Sequence, residues 1–280
     1  MIKLFCVPTG GTPSTAFYKW MGGLNSDISL ELLEYPARGM RSKEDALDTI
    51  EELADDLYSK CKEKISSCEY MLLSSCIGTI VEYEIYRRIV KNQDRPPKKL
   101  FVFSADSPTG ESYRESQYIS DKNREVLCST CESLFHSKIF NNPKKFSKDY
   151  VNKIIELNQS SDTFIQPVME EIFISEEQSF EKKMAVDFTN KTLMMLSDDW
   201  KMAKKYSDEN KEKLDIECPL TVVYGKNDRL LQKNRVENWK NFAKGPYEFI
   251  ETEGGHNLTI ENVEFCTRLM NAQSISSKHK

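Results

Sequence analysis

The chain has 280 residues, 39% hydrophobic and 30% charged, with a formal net charge of −5. That length suits one large domain, or one domain with a sizeable insertion, and the composition is that of an ordinary globular protein. The charge offers no field to gather nucleic acid or an anionic membrane, and no apolar run approaches the about 18 residues that span a bilayer.

The first hundred residues alternate strand and helix. The opening, MIKLFCVPTGG, enters a strand-like run (2–7) without the charged leader and apolar core of an export signal, so a cytoplasmic protein is expected. STAFYKWMGG reads as a short helix ended by glycine. SLELLEYP (29–36) reads as a strand stopped by proline. Residues 43–65 carry apolar side chains at helical spacing. EYMLLSS (69–75), residues 78–93 and KKLFVFSA (98–105) read as strand, helix and strand. Strands alternating with helices of this length form βαβ units around a parallel sheet covered on both faces.

From about Ser107 to Leu214 no buried strand is legible, and the segment reads as helical and highly charged. Alternation then returns with CPLTVVYG (218–225), NRVENWKNFA (234–243), PYEFIET (246–252) and NVEFCTRLM (262–270). We therefore expect an α/β core from 1–106 and 215–273, a helical lid over 107–214, and a disordered tail over 274–280.

The eight cysteines are not expected to form a disulfide framework in a cytoplasmic chain. Cys128 and Cys131, with His136 behind them, lack a second pair of ligands at zinc spacing, so no metal is expected. Cys76 stands apart. Ser74-Ser75-Cys76-Ile77-Gly78 has the form small-x-nucleophile-x-Gly between a strand and a helix, the context of a nucleophile elbow. The turn is tight, so positions two before and two after must be small, as Ser74 and Gly78 are. The Ile77 amide at the helix start would face a substrate oxygen, and the helix N-terminus favours a thiolate.

A cysteine nucleophile needs a base. His279 lies in the tail and His136 in the insertion. His256, in TEGGHNLTI, follows the last strand, where this fold places its histidine. Asp228, in VVYGKNDRL, follows the preceding strand and gives the order nucleophile, acid, histidine. Asp106, at the end of the fourth strand, competes for the acid's place. CVPTGGTP after the first strand would supply a second oxyanion donor, the amide of Thr9 or Gly10.

With these motifs in order, the sequence resembles the type II thioesterases of nonribosomal peptide and polyketide synthesis. LFCVPTGGTPSTAFYKW is similar to the family's first strand, Pro-x-Ala-Gly-Gly loop and tryptophan. YPARGMR (35–41) resembles Pro-Gly-Arg-Gly-x-Arg, with Ala37 replacing a glycine. SSCIG stands where the family has Gly-His-Ser-Met-Gly, and LSDDWKMAKKY (196–206) resembles its Arg-Ala-Asp…Tyr segment. GKNDRL and GGHNL resemble its acid and histidine loops. The departures are Cys76 for serine, Ser75 for histidine, and a longer lid region.

The resemblance implies an α/β-hydrolase fold with an inserted helical lid. It implies a substrate held as a thioester on the phosphopantetheine arm of an acyl or peptidyl carrier protein, with no cofactor of the chain's own. Cys76 would attack, His256 would handle the proton, Asp228 would orient His256, and Ile77 with Thr9–Gly10 would hold the oxyanion. Hydrolysis and acyl or aminoacyl transfer both remain open, as does a small-molecule hydrolase without a carrier. A monomer is expected. Carrier proteins are acidic, and lysines cluster in the insertion at 138, 144, 145, 148, 153, 201, 204 and 205, although charged lid helices are usually solvated faces.

Overall fold

The structure is a computed structural model and describes residues 1–114, 195–196, 198–209, 212–228 and 230–275. Most of the expected lid lies outside these residues, with Cys128, Cys131, His136 and the five lysines between 138 and 153. His279 and the end of the tail lie outside them too.

Six parallel strands form one sheet in the order β2-β1-β3-β4-β5-β6. They are β1 (Ile2–Cys6), β2 (Ile28–Leu32), β3 (Tyr70–Ser75), β4 (Lys99–Phe103), β5 (Leu220–Gly225) and β6 (Tyr247–Thr252). The inner strands are apolar along their length because both faces are covered. The twofold alternation of a strand then sends neighbouring side chains into two separate cores. Leu4, Cys6, Met71, Leu73, Phe101, Phe103 and Val223 enter one core. Phe5, Val7, Tyr70, Leu72, Leu100, Val102 and Val222 enter the other.

Two long helices cover the second core. In α1 (Ile50–Ser67), Ile50, Leu53, Ala54, Leu57, Tyr58, Cys61 and Ile65 are buried, an apolar stripe at helical spacing. The helix starts later than the periodicity alone suggests. Thr49 Oγ1 accepts from the Glu52 amide at 3.2 Å and Glu52 accepts from the Asp48 amide at 3.2 Å, so a capping arrangement fixes the first turn at Ile50 and leaves 43–49 non-helical. In α2 (Gly78–Lys91), Gly78 through Tyr86 are all buried, because the helix lies between sheet, α1 and the returning chain.

The other core is closed by the 3₁₀ segment Ser14–Trp20 and by α3 (Val263–Ile275), which runs further than 262–270. The helix expected over 234–243 is instead a single α turn, Lys233–Val236, followed by a 3₁₀ turn, Glu237–Asn241. Its buried side chains explain the difference. Val236, Trp239 and Phe242 recur every three residues, the repeat of a 3₁₀ helix.

Among the described residues, no helix is long and apolar enough to cross a membrane. The chain runs from β1 outward to β2, then back past β1 to β3. In such sheets the crevice at the reversal, beyond the carboxyl ends of the strands, is where ligands bind. Here it lies between the loop after β1 and the turn after β3.

Candidate active site

Cys76 is the first residue past β3, and Gly78 opens α2. Its φ of +53° lies in the left-handed region that residues with a Cβ avoid. The Cys76 amide donates to the Phe103 carbonyl at 3.0 Å, and Thr79 Oγ1 donates to the Cys76 carbonyl at 2.7 Å. Neighbouring strand and first helical turn thus hold the strained turn in place. Ile77, at the helix N-terminus, has an amide in the region where helical N–H groups lack intrahelical acceptors. Ser74 is wholly buried, and its hydroxyl donates to Glu82 on α2.

The loop after β1 lies against this turn. Val7 donates to the Leu73 carbonyl at 2.8 Å, drawing the loop onto β3. A Cβ on Gly10 would stand 3.0 Å from Ile77 Cδ1 and 3.2 Å from Leu196 Cδ1, so glycine permits this close approach. Thr9 is buried beside it. Leu196, the first residue of LSDDW, is buried against the same loop. Tyr113 is buried with its ring 6.1 Å from that of Trp200.

His256 follows β6 and Asp228 follows β5. The His256 Nδ1–H donates to the Asp228 carboxylate at 2.9 and 3.1 Å, and the Asp228 side chain is 1% exposed. Asp228 Oδ1 also accepts the amides of Leu230 (2.9 Å) and Leu231 (3.1 Å), which fix its orientation. The two loops are joined by the Asn227 amide donating to the Gly254 carbonyl at 3.0 Å. Burial alone would lower the His256 pKa. The Asp228 carboxylate and the Cys76 sulfur beside the ring outweigh burial and hold it well above its ordinary value.

Asp106 occupies a different position. Its Oδ1 accepts from the Ser107 amide (2.7 Å) and Asn238 (3.4 Å), and its Oδ2 from the Ser112 hydroxyl (2.8 Å) and amide (3.2 Å). These bonds fold the 107–112 loop over the end of β4.

Residues that the sequence reading did not single out also converge here. Arg38, from YPARGMR, makes a two-pronged ion pair with Asp199, from LSDDW, and Asp199 accepts the Gly11 amide at 2.8 Å. Charged residues within otherwise motif-like stretches were the available signal, but nothing local shows that they pair. Glu82 reads as one polar position on a helix, yet it is buried behind the elbow. Of the lysines weighed as a basic face against a plain solvated one, Lys201 pairs with Asp198 at 3.1 Å and Lys204 with Asp208 at 2.7 Å within one helical segment. No cluster of three or more His, Cys, Asp or Glu suited to a metal occurs among the described residues.

A parallel sheet with a tight turn at Cys76 after its third strand, and loops bearing Asp228 and His256 after its fifth and sixth, is an α/β-hydrolase architecture. The sequence model of the thioesterase domain family matches residues 2–273, and the chain belongs to that family. It is 20% identical over 273 residues to the gramicidin S biosynthesis protein GrsT of Aneurinibacillus migulanus, covering 96% of this chain and 89% of that one. It is 20% identical over 255 residues to the thioesterase PikA5 of Streptomyces venezuelae, covering 91% and 74%. Among solved structures, ClbQ of the colibactin NRPS/PKS pathway superposes with a TM-score of 0.68 at 19% identity, over 99% of this chain and 97% of that one. RedJ, the thioesterase of prodiginine biosynthesis in Streptomyces coelicolor, gives 0.67 at 17% identity, over 97% and 85%.

Proposed function

We propose that the chain acts on acyl, aminoacyl or peptidyl thioesters borne on the phosphopantetheine arm of a carrier protein, in nonribosomal peptide or polyketide-type biosynthesis, through an S-acyl intermediate on Cys76. The observation that carries this reading is the Cys76 sulfur on a strained turn beside the His256 imidazole, whose Nδ1 lies 2.9 Å from the Asp228 carboxylate.

Cys76 acts with its proton resting on His256, the ion-pair arrangement of a cysteine nucleophile and its base. The sulfur attacks the thioester carbonyl, and the carbonyl π pair moves onto oxygen. The Ile77 amide and an amide of Thr9 or Gly10 stabilise that oxyanion, where one missing donor costs on the order of 3 kcal/mol of barrier. Collapse expels the phosphopantetheine sulfur, which takes the His256 proton. Neutral His256 then removes a proton from the second nucleophile, water for hydrolysis or an acceptor thiol or amine for transfer. Asp228 keeps the ring in place throughout.

Cysteine bears on the outcome. A serine enzyme converts a thioester into a more stable ester, whereas Cys76 exchanges one thioester for another in a nearly balanced step. Thioesters also react better with thiols and amines than with water. The site is therefore suited to transfer between carriers as well as to hydrolysis.

The test is intact-protein mass spectrometry after mixing with acyl- and aminoacyl-carrier proteins, then a chase with unloaded carrier. An adduct on Cys76 that persists in water and moves to the second carrier identifies a transferase. One that water clears within a turnover identifies a hydrolase. An adduct formed only from small thioesters identifies a hydrolase without a carrier, and no adduct at all sinks the covalent mechanism.

A further inference from the structure

The steps above give no role to Arg38 and Asp199, although their side chains are only 8% and 3% exposed. Two buried charges are costly to hold unless their geometry is excellent. Here it is. Arg38 Nη1 donates to Asp199 Oδ2 at 2.8 Å while Nη2 donates to Oδ1, a fork-to-fork pair.

The pair is built onto the loop after β1. Asp199 Oδ2 also accepts the amide of Gly11, at 2.8 Å. The Arg38 guanidinium lies over the Tyr35 ring at 4.9 Å, and the Tyr35 hydroxyl donates to the Pro8 carbonyl at 3.1 Å. The loop is thus gripped at Pro8 and at Gly11, on either side of Thr9 and Gly10. Gly11, with φ +69°, makes the turn that aims its amide at Asp199. Asp199 reaches the loop from a sequence separation of 188 residues, out of the helical segment 198–208. The other end of that segment is tied to α2, where the Tyr206 hydroxyl donates to Glu84 at 2.6 Å.

We propose that the Arg38–Asp199 pair is a positioning clamp that aims the Thr9–Gly10 amides at the oxyanion, so that the second half of the oxyanion hole depends on the docked 198–208 segment. The inference rests on the reading of this loop as an oxyanion donor. Neither residue touches the substrate. Their contribution is felt where negative charge develops on oxygen, and much less where the acyl chain is merely bound.

The test separates those two. Wild type, Asp199→Asn and Arg38→Lys are compared in single-turnover acylation of Cys76 by an acyl-pantetheine thioester, read by intact mass. Each is also titrated with an alkyl trifluoromethyl ketone and with the thioether of the same chain. The ketone accepts the Cys76 sulfur at carbon and places the electron pair on oxygen, and the thioether cannot react. The expected result is a maximal acylation rate and a ketone affinity reduced about 10- to 100-fold, with half-saturation and thioether affinity within about twofold. Arg38→Lys keeps the charge but loses the fork, so it carries the same split if Asp199→Asn fails to fold. Unchanged rates, or ketone and thioether affinities that fall together, overturn the clamp. A wild-type protein that the thioester does not acylate and the ketone does not bind covalently overturns the reading of the site itself, and the clamp with it.

Discussion

The Pro8 carbonyl oxygen lies where a side chain on Gly78 would stand, 2.2 Å from the position of a Cβ there. Backbone cannot withdraw as a flexible side chain would. The loop after β1 and the first residue of α2 therefore touch only because position 78 is glycine. Gly78→Ala must push the loop off the elbow, and overpacking of this kind costs about 1–3 kcal/mol. We expect a lowered Tm in thermal denaturation together with loss of the Cys76 adduct, because the displaced loop carries the Thr9 and Gly10 amides proposed as the second oxyanion donor.

The two carboxylates proposed for the acid are separable by substitution. Asp228→Asn keeps the shape but removes the charge that holds the His256 imidazolium, and adduct formation is expected to slow by roughly 100-fold or more. Asp106→Asn disturbs the Ser107 and Ser112 bonds instead, with an expected loss of about 1–3 kcal/mol of stability and acylation retained within about tenfold. Acylation kinetics and chemical denaturation of both variants decide the matter. The opposite ranking would give the orienting role to Asp106.

His256 also links stability to pH. Its folded pKa lies well above the ordinary 6.5, so its charged form stabilises the fold. That contribution is fully present below about 6.5 and is lost as pH rises through the folded value. Denaturation of wild type and His256→Gln from pH 6 upward should therefore show a gap that favours wild type at pH 6 and narrows as the ring loses its proton. A gap constant with pH would show that the ring is not held charged.

Glu82 behaves in the same direction for a different reason. Burial pushes its carboxyl up to about 8, with the Ser74 hydroxyl opposing, and its Oε1 has no partner among the described residues. A carboxyl raised from an ordinary 4.5 stabilises the fold fully below that value and loses its contribution as pH climbs through about 8. Between pH 6 and pH 9, Glu82→Gln should gain about 2–4 kcal/mol relative to wild type. Urea denaturation at the two pH values measures it, and parallel curves would mean that Glu82 is ionised throughout.

The alternation of apolar runs with helical stripes was enough to place six strands, because buried parallel strands must be apolar along their length. The tight strand-to-helix turn at Cys76 was equally legible. Tight turns demand small residues at fixed offsets, which Ser74 and Gly78 supply. The Thr49 and Glu52 cap is present in the sequence too, but the apolar periodicity runs on back to residue 43.

Other features depended on contacts that no local pattern encodes. Residues 234–243 carry helix-compatible spacing, and only packing against the sheet showed that Val236, Trp239 and Phe242 follow a repeat of three. Asp106 and Asp228 both end strands, and only the folded loops bring one of them to the imidazole. The pairing of Arg38 with Asp199, across 161 residues, and the burial of Glu82 behind the elbow belong to the tertiary structure alone. Periodicity reports which face of an element is buried. It carries no record of what lies opposite, and the charge state of a buried group is set by that neighbour.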